Sequence, residues 1–245
     1  MARYCMTFTK QGDMKYTSHL DMVRLFKRAF RRSGIALAYS HGFNPHPRLS
    51  LCIPLSLGYT SLGELLEFET RQEWRTPEIG EKLGQQLPRG MAVLECLRLP
   101  DTGKSVASRI CAAEYLIGFP AMKKNEYGSL SQLSEEEKMR CGEKAGSLAE
   151  DFLSGKEIMV KRQAGKSLRK KKGQQCTVDI DIRPMIEYVN MNIVDDKIII
   201  STKIAAGSKS SLNPELFLEA FLEASGLDTD RQKIEILRTE LFTEA

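Results

Sequence analysis

Residues 18–48 read SHLDMVRLFKRAFRRSGIALAYSHGFNPHPR, a helical pattern running into a polar, proline-bearing loop. Ser18 followed three residues later by Asp21 is a capping-box signature and marks a helix start. Beyond it Val23, Phe26 and Phe30 share one helical face, widened by Met22, Leu25 and Ala29. The opposite face carries Arg24, Lys27, Arg28, Arg31 and Arg32, and Ser33-Gly34 ends the helix. All three histidines of the chain, His19, His41 and His46, fall in this stretch, and its single acid is Asp21.

Outward from this helix the pattern decides the fold. Residues 3–10 alternate and are rich in β-formers, which predicts a strand before the helix. Residues 49–55 look like a strand, but Pro54 makes it an edge or bulged one. Residues 64–70 return as a strand, and residues 77–87 form a helix with Thr76 as cap and Pro77 at its first position. A strand over 91–99 completes β-α-β-β-α-β, the ferredoxin-like plan. After a polar linker at 101–108 the order recurs: a strand at 110–119, a helix from Ser134 to about Ser154, and a short strand at 157–163. Strand alternation follows at 176–182, 186–192 and 197–204, then a helix from Asn213-Pro214 to Ser225-Gly226 and a closing strand at 234–242. The expected fold class is α+β, two tandem ferredoxin-like halves (1–105 and 106–245) with antiparallel sheets, the second carrying an insertion. Element order alone carries the duplication, since no sequence repeat is visible.

The 245 residues suffice for one large domain or two modest ones. No apolar run reaches the roughly 18–20 residues of a membrane span, and the N-terminus has no apolar signal region, so a cytoplasmic protein without membrane partners is expected. The six cysteines are scattered, with no CxxC and no CxxxCxxC, and read as reduced core residues. Neither a zinc site nor a resident cluster is expected. GKSV and GKSL lack the upstream glycines of a phosphate-binding loop, GxGxxG is absent, and so are the aromatic motifs of RNA-recognition sheets.

The net charge of +4 is unevenly distributed. Through residue 50 the chain has nine Lys/Arg against Asp13 and Asp21, and 161–172 (KRQAGKSLRKKK) holds no acid, while the remainder is net acidic. Two separate basic segments point to a polyanion. The ridge of Arg24, Arg28, Arg31 and Arg32 presents a guanidinium at each turn, and Lys166, Arg169, Lys170, Lys171 and Lys172 form a basic loop suited to a phosphate backbone. In GFNPHPR, Gly42 permits a turn at positive φ, and Pro45 and Pro47 fix their own φ and bias their predecessors to extended geometry. His46 is thus presented at low entropic cost beside Phe43, Asn44 and Arg48. His19, at the first helical turn, is placed to help hold an anion or to act as acid or base. The three histidines match no metal-ligand spacing, and no metal is expected.

The segments TSHLDMVRLFKRAFRRSGIALAYSHGFNPHPRLSL, PLSLGYTSLGE, DIRPMIE and LRTELF together resemble a radical-SAM-linked bacterial domain family of unknown function. The resemblance covers nearly the whole chain, although His41 stands where the family often has a small residue. It implies a radical SAM partner carrying the iron–sulfur cluster and S-adenosylmethionine, with no cofactor in this chain. Its gene neighbourhoods hint at RNA or a ribosomal component. Arg183, Asn213 and Arg238 match its motifs and are expected either to line a groove between halves or to make internal hydrogen bonds. The resulting expectation is a non-catalytic partner that binds RNA, or presents an RNA- or ribosome-linked substrate, through the basic helix and the GFNPHPR loop. One alternative is a metal-independent ribonuclease using His46 or His19 as acid or base, by analogy of fold with CRISPR RNA-processing endonucleases. The other is a protein-only docking scaffold.

Overall fold

The computed structural model describes residues 1–120, 146–163, 177–194 and 197–244. It is mixed α+β, with a large sheet dominated by antiparallel pairing and few helices. In chain order come β1 (Ala2–Lys10), α1 (His19–Ser33), β2 (Leu49–Leu51), β3 (Thr60–Thr70), α2 (Thr76–Gly84), β4 (Val93–Leu99), the single-turn α3 (Val106–Arg109) and β5 (Ile110–Pro120). After them come α4 (146–154), β6 (Met159–Gln163), β7 (Thr177–Asp181), β8 (Ile186–Val194), β9 (Lys197–Ala205), α5 (Pro214–Ser225) and β10 (Glu235–Thr243). The chain divides into two compact units, one of Met1–Glu114, Gly207–Lys209 and Ile236–Ala245, the other of Tyr115–Ala206 and Ser210–Glu235.

In the first unit β1 runs antiparallel between β3 and β4, and β2 is antiparallel on the far side of β3. Alternation puts Tyr4, Met6 and Phe8 of β1 and Leu66 and Phe68 of β3 on one face, where α1 and α2 cover them. Phe8 meets Phe26 edge-on at 4.8 Å between ring centroids, and Phe30 meets Phe68 at the same distance. The buried stripe of α1 is Met22, Phe26, Ala29 and Phe30; Val23, expected in its centre, is only half-buried. Gly34 closes the helix at φ 77°, as its missing Cβ allows.

β2 stops at Leu51, short of the expected 55. Cys52 still donates to the Leu65 carbonyl at 2.9 Å, but Pro54 has no N–H to continue the ladder. The remaining edge of β3 pairs instead with β10, parallel, at Leu237↔Thr60 and Arg238↔Ser61. β3 accordingly begins at Thr60, earlier than its apolar alternation indicates. Arg75, not Thr76, holds the N-cap of α2 without a side-chain bond. That helix ends at Gly84, after which Gln86 and Leu87 take tighter bonds to the carbonyls of Leu83 and Gly84.

Gly90 is a position where only glycine fits. At φ +90° an added Cβ would lie 2.4 Å from the Gln11 carbonyl oxygen, and Gln11 itself donates to the Gly90 carbonyl at 2.7 Å. Gly90→Ala is expected to destabilise by more than about 1 kcal/mol, read as a lower urea midpoint with an unchanged slope.

In the second unit β8 and β9 form an antiparallel hairpin, β9 neighbours β5, and β6 pairs with β7 in a separate two-stranded sheet. Phe152 of α4 packs edge-on against Phe217 and Phe221 of α5. The expected helix start at Ser134 and the basic loop with Lys166, Arg169, Lys170, Lys171 and Lys172 lie outside the described residues. No helix among the described residues is long and apolar enough to cross a membrane.

The cysteines are not uniformly in the core. Cys5 and Cys52 are free thiols buried together, and the hydrogen bond between them, with burial, pushes the Cys52 thiol well up. Burial pushes Cys96 up to about 12, which keeps it protonated and unreactive. Cys111 is exposed, while Cys141 and Cys176 lie outside the described residues.

Candidate functional site

The cationic face of α1 divides among three environments. At its start the Ser18 hydroxyl oxygen accepts from the Asp21 N–H at 3.2 Å, an N-cap as expected. The Asp21 carboxylate does not reach back to the Ser18 backbone, as a full capping box requires. It accepts from the Ser18 hydroxyl at 2.7 Å and from Arg24 at 2.9 Å. Those two bonds, the hydroxyl first, hold the Asp21 carboxyl below its ordinary value. Because the folded value is the lower one, this contribution is present at neutral pH and is lost as pH falls through it. Ser18→Ala is expected to cost about 1 kcal/mol at neutral pH, with a smaller deficit in acid, checked by urea unfolding at both pH values. At the far end of the helix Arg32 is tied to Gln86, donating to its side-chain oxygen at 3.1 Å and its carbonyl at 2.7 Å.

Lys27, Arg28 and Arg31 remain, and they border an open groove of about 550 Å³. Its floor is Phe30, Ile35 and Leu37; its other walls are Tyr39, Pro47 and Arg71, with no acidic side chain in the lining. Arg71 arrives because Leu37 bridges to Thr70 and the Arg71 N–H donates to the Ala36 carbonyl at 3.0 Å. Its guanidinium lies 5.9 Å from the Tyr39 ring centroid, a cation–π arrangement. Four cations thus share a groove with an exposed aromatic ring. Sequence reading found the helical cations and missed Tyr39 and Arg71. Arg71 lies forty positions beyond Arg31, and only the pairing of 35–39 beside β3 joins them.

The GFNPHPR loop rises from one wall of this groove. Tyr39 bridges Pro47, Ser40 N–H donates to the His46 carbonyl at 2.9 Å, and His46 N–H donates to the Ser40 hydroxyl at 3.0 Å. These bonds pinch the loop at its foot, and Gly42 takes φ 126° within it. Phe43, Asn44 and His46 are exposed, Phe43 completely, with 107% relative accessibility. Arg48 is committed elsewhere, donating to both oxygens of Glu69 at 3.0 and 2.9 Å.

The remaining candidates lie away from the groove lining. His19 borders a small cavity with Lys10, Thr17, Met22 and Glu64. Lys10 is buried there, donating to the Thr17 carbonyl at 3.2 Å, and burial, partly opposed by Glu64, pulls its amine below the usual lysine value. Arg238, 1% exposed, donates to the Glu64 carboxylate through Nε at 2.9 Å and through a terminal nitrogen at 2.6 and 2.5 Å. Arg183 donates to the Leu153 carbonyl at 2.9 Å, and Asn213 caps α5 by accepting from the Glu215 N–H at 2.9 Å. Arg238, Arg183 and Asn213 thus each make hydrogen bonds within the chain. Among the described residues no three His, Cys, Asp or Glu side chains are grouped to hold a metal.

Among the described residues, strand topology and groove define an α+β protein with a strongly cationic recess. The chain belongs to the family described as "Uncharacterized protein conserved in bacteria (DUF2344)", whose model matches residues 3–214. No curated protein matches it. Among solved structures it is similar to an unknown protein from Galdieria sulphuraria, at 9% identity and TM-score 0.28 over 97% of this chain and 98% of the other. It is also similar to a putative glycine cleavage system transcriptional repressor, at 8% identity and TM-score 0.22 over 99% and 98%. Likenesses this low carry no inference.

Proposed function

We propose that this chain binds RNA through the α1 groove and the GFNPHPR loop, as a non-catalytic partner of a radical SAM enzyme carrying the iron–sulfur cluster and S-adenosylmethionine. The observation that carries the RNA reading is the gathering of Lys27, Arg28, Arg31 and Arg71 about one groove with no acid in its lining. Such a recess attracts a phosphate backbone and releases its counterions. The partner assignment rests on the resemblance of the SHLD helix start and the GFNPHP loop. The ribonuclease alternative requires an acid and a base about one phosphate, whereas His19 borders the Lys10 cavity and His46 stands at the foot of the loop, so binding is the preferred reading.

The same proposal takes the fold as two ferredoxin-like halves. In the first, β1-α1-β2-β3-α2-β4 gives the strand order β4-β1-β3-β2, antiparallel throughout. The succession β5, α4, β8, β9, α5, β10 has the neighbour order β10-β5-β9-β8, which supports a second such half with β6 and β7 as the insertion, although β10 clusters with the first compact unit.

Fluorescence anisotropy of labelled RNA across a salt series tests the binding, and a nuclease-treated pull-down tests the partner. Affinity falling linearly in log–log form with salt supports the RNA reading. Weak, salt-independent binding rejects it, and a partner retained after nuclease but indifferent to RNA supports the docking scaffold.

A further inference from the structure

We infer that the α1 groove selects single-stranded RNA, stacking an unpaired base on Tyr39 with Phe43 offering a second stacking face. This deepens the RNA-binding reading and rests on it. Phosphate attraction alone explains the cations but not the rest of the lining. The floor is apolar, formed by Phe30, Ile35 and Leu37, and Pro47 adds an apolar wall, surfaces that gain nothing from a phosphate. Tyr39 is 42% exposed with the Arg71 guanidinium over one face of its ring, so an unpaired base can stack on the opposite ring face or on the guanidinium plane.

Phe43 supplies an independent observation. A fully exposed phenylalanine at a loop tip contributes no burial, yet the loop bearing it is pinched shut by the Ser40–His46 bonds and by two prolines. Order is therefore spent on holding an aromatic face in solvent. The groove volume, about 550 Å³, lies in the range of small-ligand pockets, about 300–1,000 Å³, and admits separate nucleotides. A duplex keeps its bases stacked on one another and shows only grooves and phosphates, leaving both aromatic faces unused. Stacking is tolerant of base identity, so the class is unpaired RNA of mixed sequence.

The test is anisotropy with a short labelled oligoadenylate, its duplex with oligouridylate, and an oligomer of the same length with abasic positions that keeps every phosphate. The single strand is expected to bind about tenfold or more tighter than the duplex or abasic oligomer. Tyr39→Leu and Phe43→Ala are each expected to weaken single-strand binding about fivefold or more without changing the salt slope, while Tyr39→Phe keeps it. Both replaced side chains are exposed, and circular dichroism of each variant controls for folding. Equal binding of all three RNAs, or indifference to Tyr39→Leu and Phe43→Ala, overturns the stacking inference and leaves a phosphate-only groove. Failure of every RNA to bind overturns the groove reading as well.

Discussion

Arg238→Ala is expected to lower stability by about 3–5 kcal/mol, the cost of breaking a buried ion pair from one side. The side chains of Arg238 and Glu64 are 1% and 5% exposed, so the carboxylate left behind has no water to replace the guanidinium. The guanidinium also donates to the Ile53 carbonyl at 3.2 Å, joining β10, β3 and the segment after β2 at one point. Among the described residues β10 pairs with β3 at Leu237↔Thr60 and Arg238↔Ser61, and the buried ion pair adds a side-chain tie beside that short ladder. Urea denaturation at neutral pH measures the loss. Glu64→Gln/Arg238→Met, which removes both charges of the pair, is expected to cost less than Arg238→Ala, the remaining loss coming from buried Lys10, which no longer faces the Glu64 carboxylate. A deficit below about 1 kcal/mol for Arg238→Ala would mean that water reaches the pair. Matched losses in the single and double variants would assign the effect to packing.

Arg28→Ala/Arg31→Ala is expected to weaken RNA binding at least tenfold at low salt, since charge-assisted bonds contribute about 1.5–3 kcal/mol each. The slope of log affinity against log salt is expected to fall by about one to two, as two phosphate neutralisations disappear. Both side chains are exposed on α1 and line the groove, so folding is expected to be unchanged. Arg24→Ala is the informative contrast. Arg24 is paired with Asp21 and does not line the groove, and its loss is expected to leave the slope nearly intact. An equal effect of Arg24→Ala would show that the whole helix face acts as a diffuse cationic surface.

The pairing partners of the charges explain why the site was only half legible. From sequence, all five cations opposite the apolar stripe of α1 look equivalent. In the fold Arg24 is held by Asp21 and Arg32 by Gln86, which leaves Lys27, Arg28 and Arg31 for a ligand; in the loop beyond, Arg48 is likewise held by Glu69. The LRTELF segment drew attention to Arg238, but its partner Glu64 lies 174 positions away, so nothing local distinguished a buried ion pair from a binding arginine.

What the sequence determined by itself is the local structure: the alternation of β1, the amphipathic period of α1, its Ser18 cap and the Gly34 terminator. These follow from interactions within a few residues, where backbone hydrogen bonding and side-chain periodicity act directly. The tertiary structure alone decided that Arg71 and Tyr39 join the helical cations and that Glu64 neutralises Arg238. It also decided that β10 pairs, parallel, with the start of β3 beyond the point where Pro54 ends the β2 ladder. Apolar spacing tells which face of an element turns inward, but the partner of a charge is set by strand register between distant segments, which carries no local signal.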